Sequence, residues 1–130
     1  MCAQAEQGWT VLLVDDDNSL RKALARTIRV AGFEVRGYDS VEALLEAGMP
    51  QHDACLVLDV DLPGRGGMAF KRMLRDTGGD LPTIFITALE REQVSEPLAA
   101  LDPVAVPYKP FSNEDLLGAI DRCRPVSHHV

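Results

Sequence analysis

Short runs of consecutive apolar residues alternate, from residue 10 to residue 123, with longer segments whose apolar positions recur every three or four residues. The runs have the length of buried strands, and the three-to-four spacing is the period of a helix with one buried face. Five such pairs predict repeated β-α units and therefore a parallel sheet. The strands are expected at 10–14, 34–38, 54–58, 82–87 and 104–107. In the first helix Leu20, Leu24 and Ile28 stand four apart until Ala31-Gly32 ends it, with Asp17 or Asn18 as its cap. Asp39 or Ser40 caps a short helix carrying Val41, Leu44 and Leu45, which stops at Gly48 before Pro50.

The third run, 54–58, is apolar at every position, as a central strand covered on both faces requires. Asp59 then opens a loop that Pro63-Gly64 and Gly66-Gly67 turn sharply, and Met68, Phe70, Met73 and Leu74 supply the buried side of the third helix. Pro97 falls inside the fourth helical pattern, Val94, Leu98 and Leu101. Proline costs about 3 kcal/mol in a helix interior, so that helix is expected to start near Glu96 or to kink. The last helix runs from near Asn113 through Leu116, Leu117 and Ile120, with Ser112 and Asp115 as a capping pair. Right-handed crossovers divide the helices between two faces, and a flavodoxin-like (βα)5 sheet in the order 2-1-3-4-5 satisfies this. Strand five is then an edge, where Pro107 can lose its ladder donor toward solvent.

That topology changes the meaning of the acidic residues. Asp15, Asp16 and Asp17 follow the first strand directly and Asp59 follows the third; adjacent parallel strands bring their carboxyl ends together, where open α/β sheets hold ligands. The result is an acidic pocket suited to a hard cation. Thr87 at the end of strand four and Lys109 at the end of strand five add a hydroxyl and an ammonium. Crowded carboxylates repel one another unless a cation compensates. Mg²⁺ is the expected cation, since it takes oxygen ligands, keeps waters and binds one or two carboxylates plus phosphate oxygens. Phosphoryl transfer to an aspartate is the chemistry that these groups suggest.

A length of 130 residues with 46% hydrophobic positions is one domain, 10–123, between short tails 1–9 and 124–130. The net charge of −7 argues against nucleic-acid or membrane binding by this chain alone and points to protein partners. Residues 1–9 lack the basic start and apolar centre of a signal peptide, and no run has membrane-spanning length, so a soluble cytoplasmic protein is expected. Cys2, Cys55 and Cys123 share no metal-like spacing and read as buried or free thiols. His52, His128 and His129 do not read as a metal site.

The motifs, in order, resemble the receiver domain of bacterial response regulators. They are Val14-Asp15-Asp16, then Leu58-Asp59-Val60-Asp61-Leu62-Pro63-Gly64 with Gly67 beyond, then Ile86-Thr87-Ala88, then Tyr108-Lys109-Pro110-Phe111, and they cover nearly the whole chain. The resemblance implies that Asp59 accepts a phosphoryl group from a histidine kinase or phosphotransfer protein. It also implies that Asp16 and Asp59 bind Mg²⁺ directly, Asp15 through water, and Asp61 through its backbone carbonyl. Thr87 and Lys109 would contact the phosphoryl oxygens, and the Lys109-Pro110 peptide would be cis. Self-phosphorylation and dephosphorylation, without turnover of an external substrate, is the implied activity. Asp61 and Leu89, two positions beyond Asp59 and Thr87, would control water access. The signal would leave through the surface of helix four, strand five and helix five, toward an output domain, a protein partner or a phosphorylation-dependent dimer of an otherwise monomeric chain.

Two departures bear on that signal. Receivers commonly carry a switching aromatic three positions before the site lysine, and here that position is Val106. The nearby aromatic is Tyr108, immediately before Lys109, where alternation is expected to turn it toward the opposite face of the strand. Pro97, Pro103 and Pro107 also concentrate on the signalling surface. Two other functions stay open at this point. One is a docking module of the same fold that no longer uses phosphate, which the presence of Asp15, Asp16, Asp59, Thr87 and Lys109 opposes. The other is a phosphatase of the haloacid dehalogenase type, suggested by Asp59-Val60-Asp61 and opposed by the acids that precede it and by the lack of a cap domain. No basic or helix-turn-helix segment follows Arg124, so the chain is expected to be a stand-alone receiver or part of a longer regulator.

Overall fold

The structure, a computed structural model, describes residues 9–50, 52–62, 66–88 and 91–124. Its elements are β1 (Thr10–Val14), α1 (Asn18–Val30), β2 (Glu34–Tyr38), α2 (Val41–Ala47), β3 (Ala54–Asp59), α3 (Gly67–Thr77), β4 (Thr83–Ile86), α4 (Arg91–Ala99) and α5 (Asn113–Cys123). The four strands make a parallel sheet in the order β2-β1-β3-β4, the flavodoxin-like arrangement. β1 and β3 are buried at every position, as central strands between two helical layers must be, whereas β2 buries only Val35.

Strand alternation divides the core in two. Leu12, Val14, Leu56, Leu58 and Phe85 pack with Val41, Leu44, Phe70, Leu74, Val94 and Leu98 from α2, α3 and α4. The intervening positions Val11, Leu13, Cys55, Val57, Ile84 and Ile86 pack with Leu24 and Ile28 of α1 and with Leu116, Ala119 and Ile120 of α5. Each fully buried Leu, Ile or Phe contributes about 1.5–3 kcal/mol of transfer free energy. Caps fix where the helices start. Asp17 accepts from the Leu20 N–H, Ser40 from Ala43 and Ser112 from Asp115, which assigns the cap of α1 to Asp17 and that of α2 to Ser40.

The structure corrects the expected fifth strand. Among the described residues no continuous strand follows α4; segment 104–109 lies beside β4 but pairs with it through two isolated parallel bridges, Ile84 with Ala105 and Thr87 with Tyr108. The Pro107 carbonyl accepts from the Thr87 N–H, so the nitrogen of Pro107 also faces β4. The missing proton is thus on the sheet side, and the rung it would have made to Phe85 is lost. The expectation that Pro107 would turn this gap to solvent was wrong, and the gap divides the strand.

Three smaller corrections follow. α4 begins at Arg91 and carries Pro97 in its interior, so the expected start near Glu96 is overturned. Leu45 is exposed, and α2 buries only Val41 and Leu44. On α3 the buried set includes a charge: Lys71 is 2% exposed, and its ammonium meets Asp80 Oδ1 at 2.6 Å and the Leu81 carbonyl at 2.9 Å. This ties α3 to the entry of β4. Asp80→Ala leaves that ammonium without its counter-charge and is expected to lower stability by about 1–3 kcal/mol, read as a lower urea midpoint.

Among the described residues, no helix is long and apolar enough to cross a membrane. Cys55 and Cys123 are buried free thiols, and His52 is exposed against Asp53. Cys2, Pro63, Gly64, Leu89, His128 and His129 lie outside the described residues.

Candidate functional site: an acidic cluster at the carboxyl edge of the sheet

β1 and β3 are paired in register from Thr10 with Ala54 to Val14 with Leu58, so the next residues, Asp15 and Asp59, emerge side by side. Ligand oxygens of Asp15, Asp16 and Asp59 lie within 4.8 Å of one another. Asp15 and Asp59 are buried and Asp16 is exposed, which opens the cluster toward solvent at one carboxylate.

Each buried carboxylate is held by its own chain. Asp59 Oδ1 accepts the Asp61 N–H at 2.9 Å, and Asp15 Oδ1 accepts the Asp17 N–H at 2.9 Å. The backbone of Asp15 is also anchored, its N–H donating to the Tyr38 carbonyl and its carbonyl accepting Arg21 Nη1 at 2.8 Å. Sequence reasoning missed Arg21; its one available signal was a cation one turn into the helix that leaves the acidic loop.

Lys109 closes the cluster from the far side. Its ammonium lies 3.2 Å from Asp59 Oδ2 and 4.0 Å from Asp15 Oδ2. The reach depends on segment 104–109 staying beside β4, because the Lys109 N–H donates to the Thr87 carbonyl at 2.7 Å. Thr87 is buried at the end of β4, and the Lys109-Pro110 peptide is cis. Asp61 is exposed, and its carbonyl belongs to the loop that its own N–H turns back onto Asp59.

Gly67 sets how near α3 can come to this loop. A Cβ there would lie 2.7 Å from the Asp59 carbonyl oxygen, a backbone atom that cannot yield without moving the Asp59 loop. Gly67→Ala is therefore expected to cost about 1–3 kcal/mol of stability in a denaturant titration.

The electrostatics of the cluster are unbalanced. Burial, and next the neighbouring Asp59 charge, push the Asp15 carboxyl from 3.8 up to about 6, although the Asp17 N–H and Lys109 favour its anion. Asp15 Oδ2 is a buried oxygen with no hydrogen-bond partner among the described residues. Three carboxylates against one ammonium leave about two negative charges, and the orphaned oxygen faces that surplus. A small divalent cation supplies what both lack, and an all-oxygen donor set is the kind that Mg²⁺ selects. The residues fit the metal.

A family model described as response regulator receiver domain matches residues 11–121. The chain belongs to this family. Response regulator MprA of Mycobacterium avium (strain 104) is 44% identical over 110 residues, 82% of this chain and 47% of the relative. MprA of Mycobacterium leprae (strain TN) is likewise 44% identical over 113 residues, covering 85% and 48%. The receiver domain thus spans about half the length of the curated relatives it matches. Among solved structures, response regulator StyR superposes with a TM-score of 0.81 at 35% identity, over 88% of this chain and 58% of StyR. FixJ-N gives 0.81 at 31%, over 92% and 98%. The protein is a receiver domain of two-component signalling.

The departures noted in the sequence take a definite form in the receiver domain. Val106 and Tyr108, two positions apart, pack against the same apolar cluster on the α2, α3 and α4 side. Tyr108 is therefore on the face of Val106, and Lys109 turns the other way to the acidic cluster. Beside Tyr108 and Val106 is an open depression of about 440 Å³ that Ser95, Ala99, Asp102 and Pro103 also line.

Proposed function

We propose that this receiver domain accepts a phosphoryl group onto the Asp59 carboxylate in a Mg²⁺-dependent reaction. The observation that carries the reading is the placement of Asp59 between two kinds of charge, with Asp15 and Asp16 within 4.8 Å and the Lys109 ammonium at 3.2 Å. In the transfer a carboxylate oxygen of Asp59 attacks phosphorus in line, the bond from phosphorus to the donor breaks, and the donor leaves with the bonding pair. A phosphohistidine of a kinase or phosphotransfer protein, or a small acyl phosphate, is the donor class.

Such transfers depend on positioning and charge neutralisation more than on covalent help from neighbours. The Asp61 N–H fixes the orientation of the Asp59 carboxylate. Lys109 balances charge on a phosphoryl oxygen as a compact cation. Asp16 and Asp59 would hold Mg²⁺ directly, Asp15 through water, and Asp61 by its carbonyl. Bound there, the metal neutralises charge on the phosphoryl oxygens. The Thr87 hydroxyl is assigned to a phosphoryl oxygen, with Pro110 holding the turn behind Lys109.

The signal then passes to the surface formed by α4, segment 104–109 and α5, where Val106 stands in place of a switching aromatic. An output domain, a protein partner or a second receiver would read that surface, and no external substrate is turned over. The deciding experiment is the intact mass of the protein after incubation with acetyl phosphate, with Mg²⁺ and with chelator, followed by mapping of the labelled peptide. One phosphoryl group, dependent on Mg²⁺ and located on Asp59, is expected. Absence of both the adduct and accelerated phosphate release would overturn the reading in favour of a phosphate-independent docking module.

A further inference from the structure

Arg21 is attached to the acidic loop at both of its ends. Its Nη1 donates to the Asp15 carbonyl at 2.8 Å, where β1 stops, and its Nη2 donates to Asn18 Oδ1 at 2.6 Å, where α1 starts. Its own backbone N–H donates to the Asp17 carbonyl at 2.8 Å. One residue thereby closes the turn from Asp15 to Asn18. The carbonyl that Nη1 holds belongs to the Asp15-Asp16 peptide, which is a rigid plane. A single guanidinium thus sets how the buried Asp15 carboxylate and the exposed Asp16 carboxylate diverge from that plane.

β2 leaves a place for this side chain. A Cβ on Gly37 would lie 3.4 Å from Arg21 Cδ, 3.5 Å from Cγ and 3.8 Å from Nε. Gly37 pairs with Leu13 of β1 and precedes Tyr38, whose carbonyl accepts the Asp15 N–H. A glycine inside a strand weakens it and marks the close approach of another group. Here that group is the stem of Arg21, which crosses the edge strand to reach the loop.

We propose that Arg21 is a positioning residue of the phosphoryl site: seated over Gly37, it holds the Asp15-Asp16 peptide so that both carboxylates bear on one divalent cation. This role rests on the Mg²⁺-dependent transfer proposed for Asp59, and Arg21 acts on it through the backbone of the loop. The planar fork of the guanidinium meets two acceptors at once, which the point charge of a lysine does not. Loss of a support behind a metal ligand lowers metal affinity about 10–100-fold. A site in which the metal keeps several waters is expected near the lower end of that range.

The test is a Mg²⁺ titration of the folded, unphosphorylated full chain followed by amide NMR shifts, with a urea titration of each variant beside it. Arg21→Ala is expected to weaken Mg²⁺ binding about tenfold, and its labelling by acetyl phosphate should recover the wild-type rate at saturating Mg²⁺. Arg21→Lys keeps the charge without the fork and should lie nearer to Arg21→Ala than to wild type. Gly37→Val puts a branched side chain where the Arg21 stem lies and should reproduce the weaker binding. In the Arg21→Ala background the same substitution should add nothing, because the two residues act as one device. Wild-type Mg²⁺ affinity in Arg21→Ala or Arg21→Lys would overturn the proposal, even with a lower urea midpoint. So would a labelling rate that stays low at saturating Mg²⁺, or an effect of Gly37→Val that is the same with and without Arg21. Should Arg21→Ala fail to fold, Arg21→Lys and Gly37→Val decide the matter. Failure of wild type itself to bind Mg²⁺ would overturn the phosphoryl reading together with this role.

Discussion

Asp59→Asn is expected to take up no phosphoryl group from acetyl phosphate, while wild type under the same conditions should gain one. The substitution keeps the size of the side chain and an oxygen able to accept the Asp61 N–H, so the loop is expected to hold its shape. What is removed is the anionic oxygen that the proposed transfer would use to attack phosphorus. An amide oxygen is a far weaker nucleophile, and the expected loss is at least about 10³-fold, about 4 kcal/mol of barrier. Intact mass gives the extent of labelling and circular dichroism the fold. A labelled Asp59→Asn protein would move the acceptor elsewhere, with Asp15 and Asp16 as the next carboxylates to map.

The second large effect concerns Asp15 and the metal-free protein. Its carboxyl is raised from 3.8 to about 6, first by burial and next by the Asp59 charge. Between those values the folded state keeps a proton that the unfolded chain has released. Stability from this group is therefore complete below about pH 4 and is lost as pH rises through about 6, a change on the order of 2–3 kcal/mol. In chelator, wild type should lose that stability between pH 4 and 7, and Asp15→Asn should not, so the difference between their urea midpoints isolates the group. Mg²⁺ binds only the folded site and should restore the loss at pH 7. Proton and metal compete for the same cluster, so Mg²⁺ affinity should rise through pH 6 and level off near pH 7. Equal pH profiles for wild type and Asp15→Asn would show that Asp15 is not the strained group.

These two effects share an origin. The sheet carries its candidate site where β1 and β3 end together, and burial there leaves Asp15 Oδ2 without a hydrogen-bond partner among the described residues. Mg²⁺ bound there would relieve the repulsion among the carboxylates and would stabilise the loop from Asp15 to Asp17. Arg21, on the Asp15 carbonyl, limits how far that loop can relax.

The elements that were legible in the sequence are those whose signals are local. Apolar runs gave β1 and β3, the 3.6-residue period gave α1, α3 and α5, and Ser112, Ser40 and Asp17 cap helices because their side chains reach backbone N–H groups three positions on. The four aspartates, Thr87 and Lys109 were legible for a related reason, since each lies at or just beyond the end of a predicted strand and parallel topology gathers strand ends.

Other features depended on which neighbours the fold supplied. The alternation of segment 104–109 was readable, but which side of it Pro107 would present to β4 depended on register, and that decided whether a fifth strand was continuous or divided. Lys71 reads as a solvated helix position until α3 packs against the entry of β4 and Asp80 meets it. Leu45 reads as core until the short α2 uses only Val41 and Leu44. Cys55 and Cys123 are 68 positions apart in sequence, and only the packing of α5 on the sheet places both in one apolar cluster. The sequence alone determined the periodicities, the caps and the order of chemical groups, because those depend on covalent spacing. The tertiary structure decided register, burial of charge and the meeting of distant side chains, because those depend on packing between elements that no local spacing encodes.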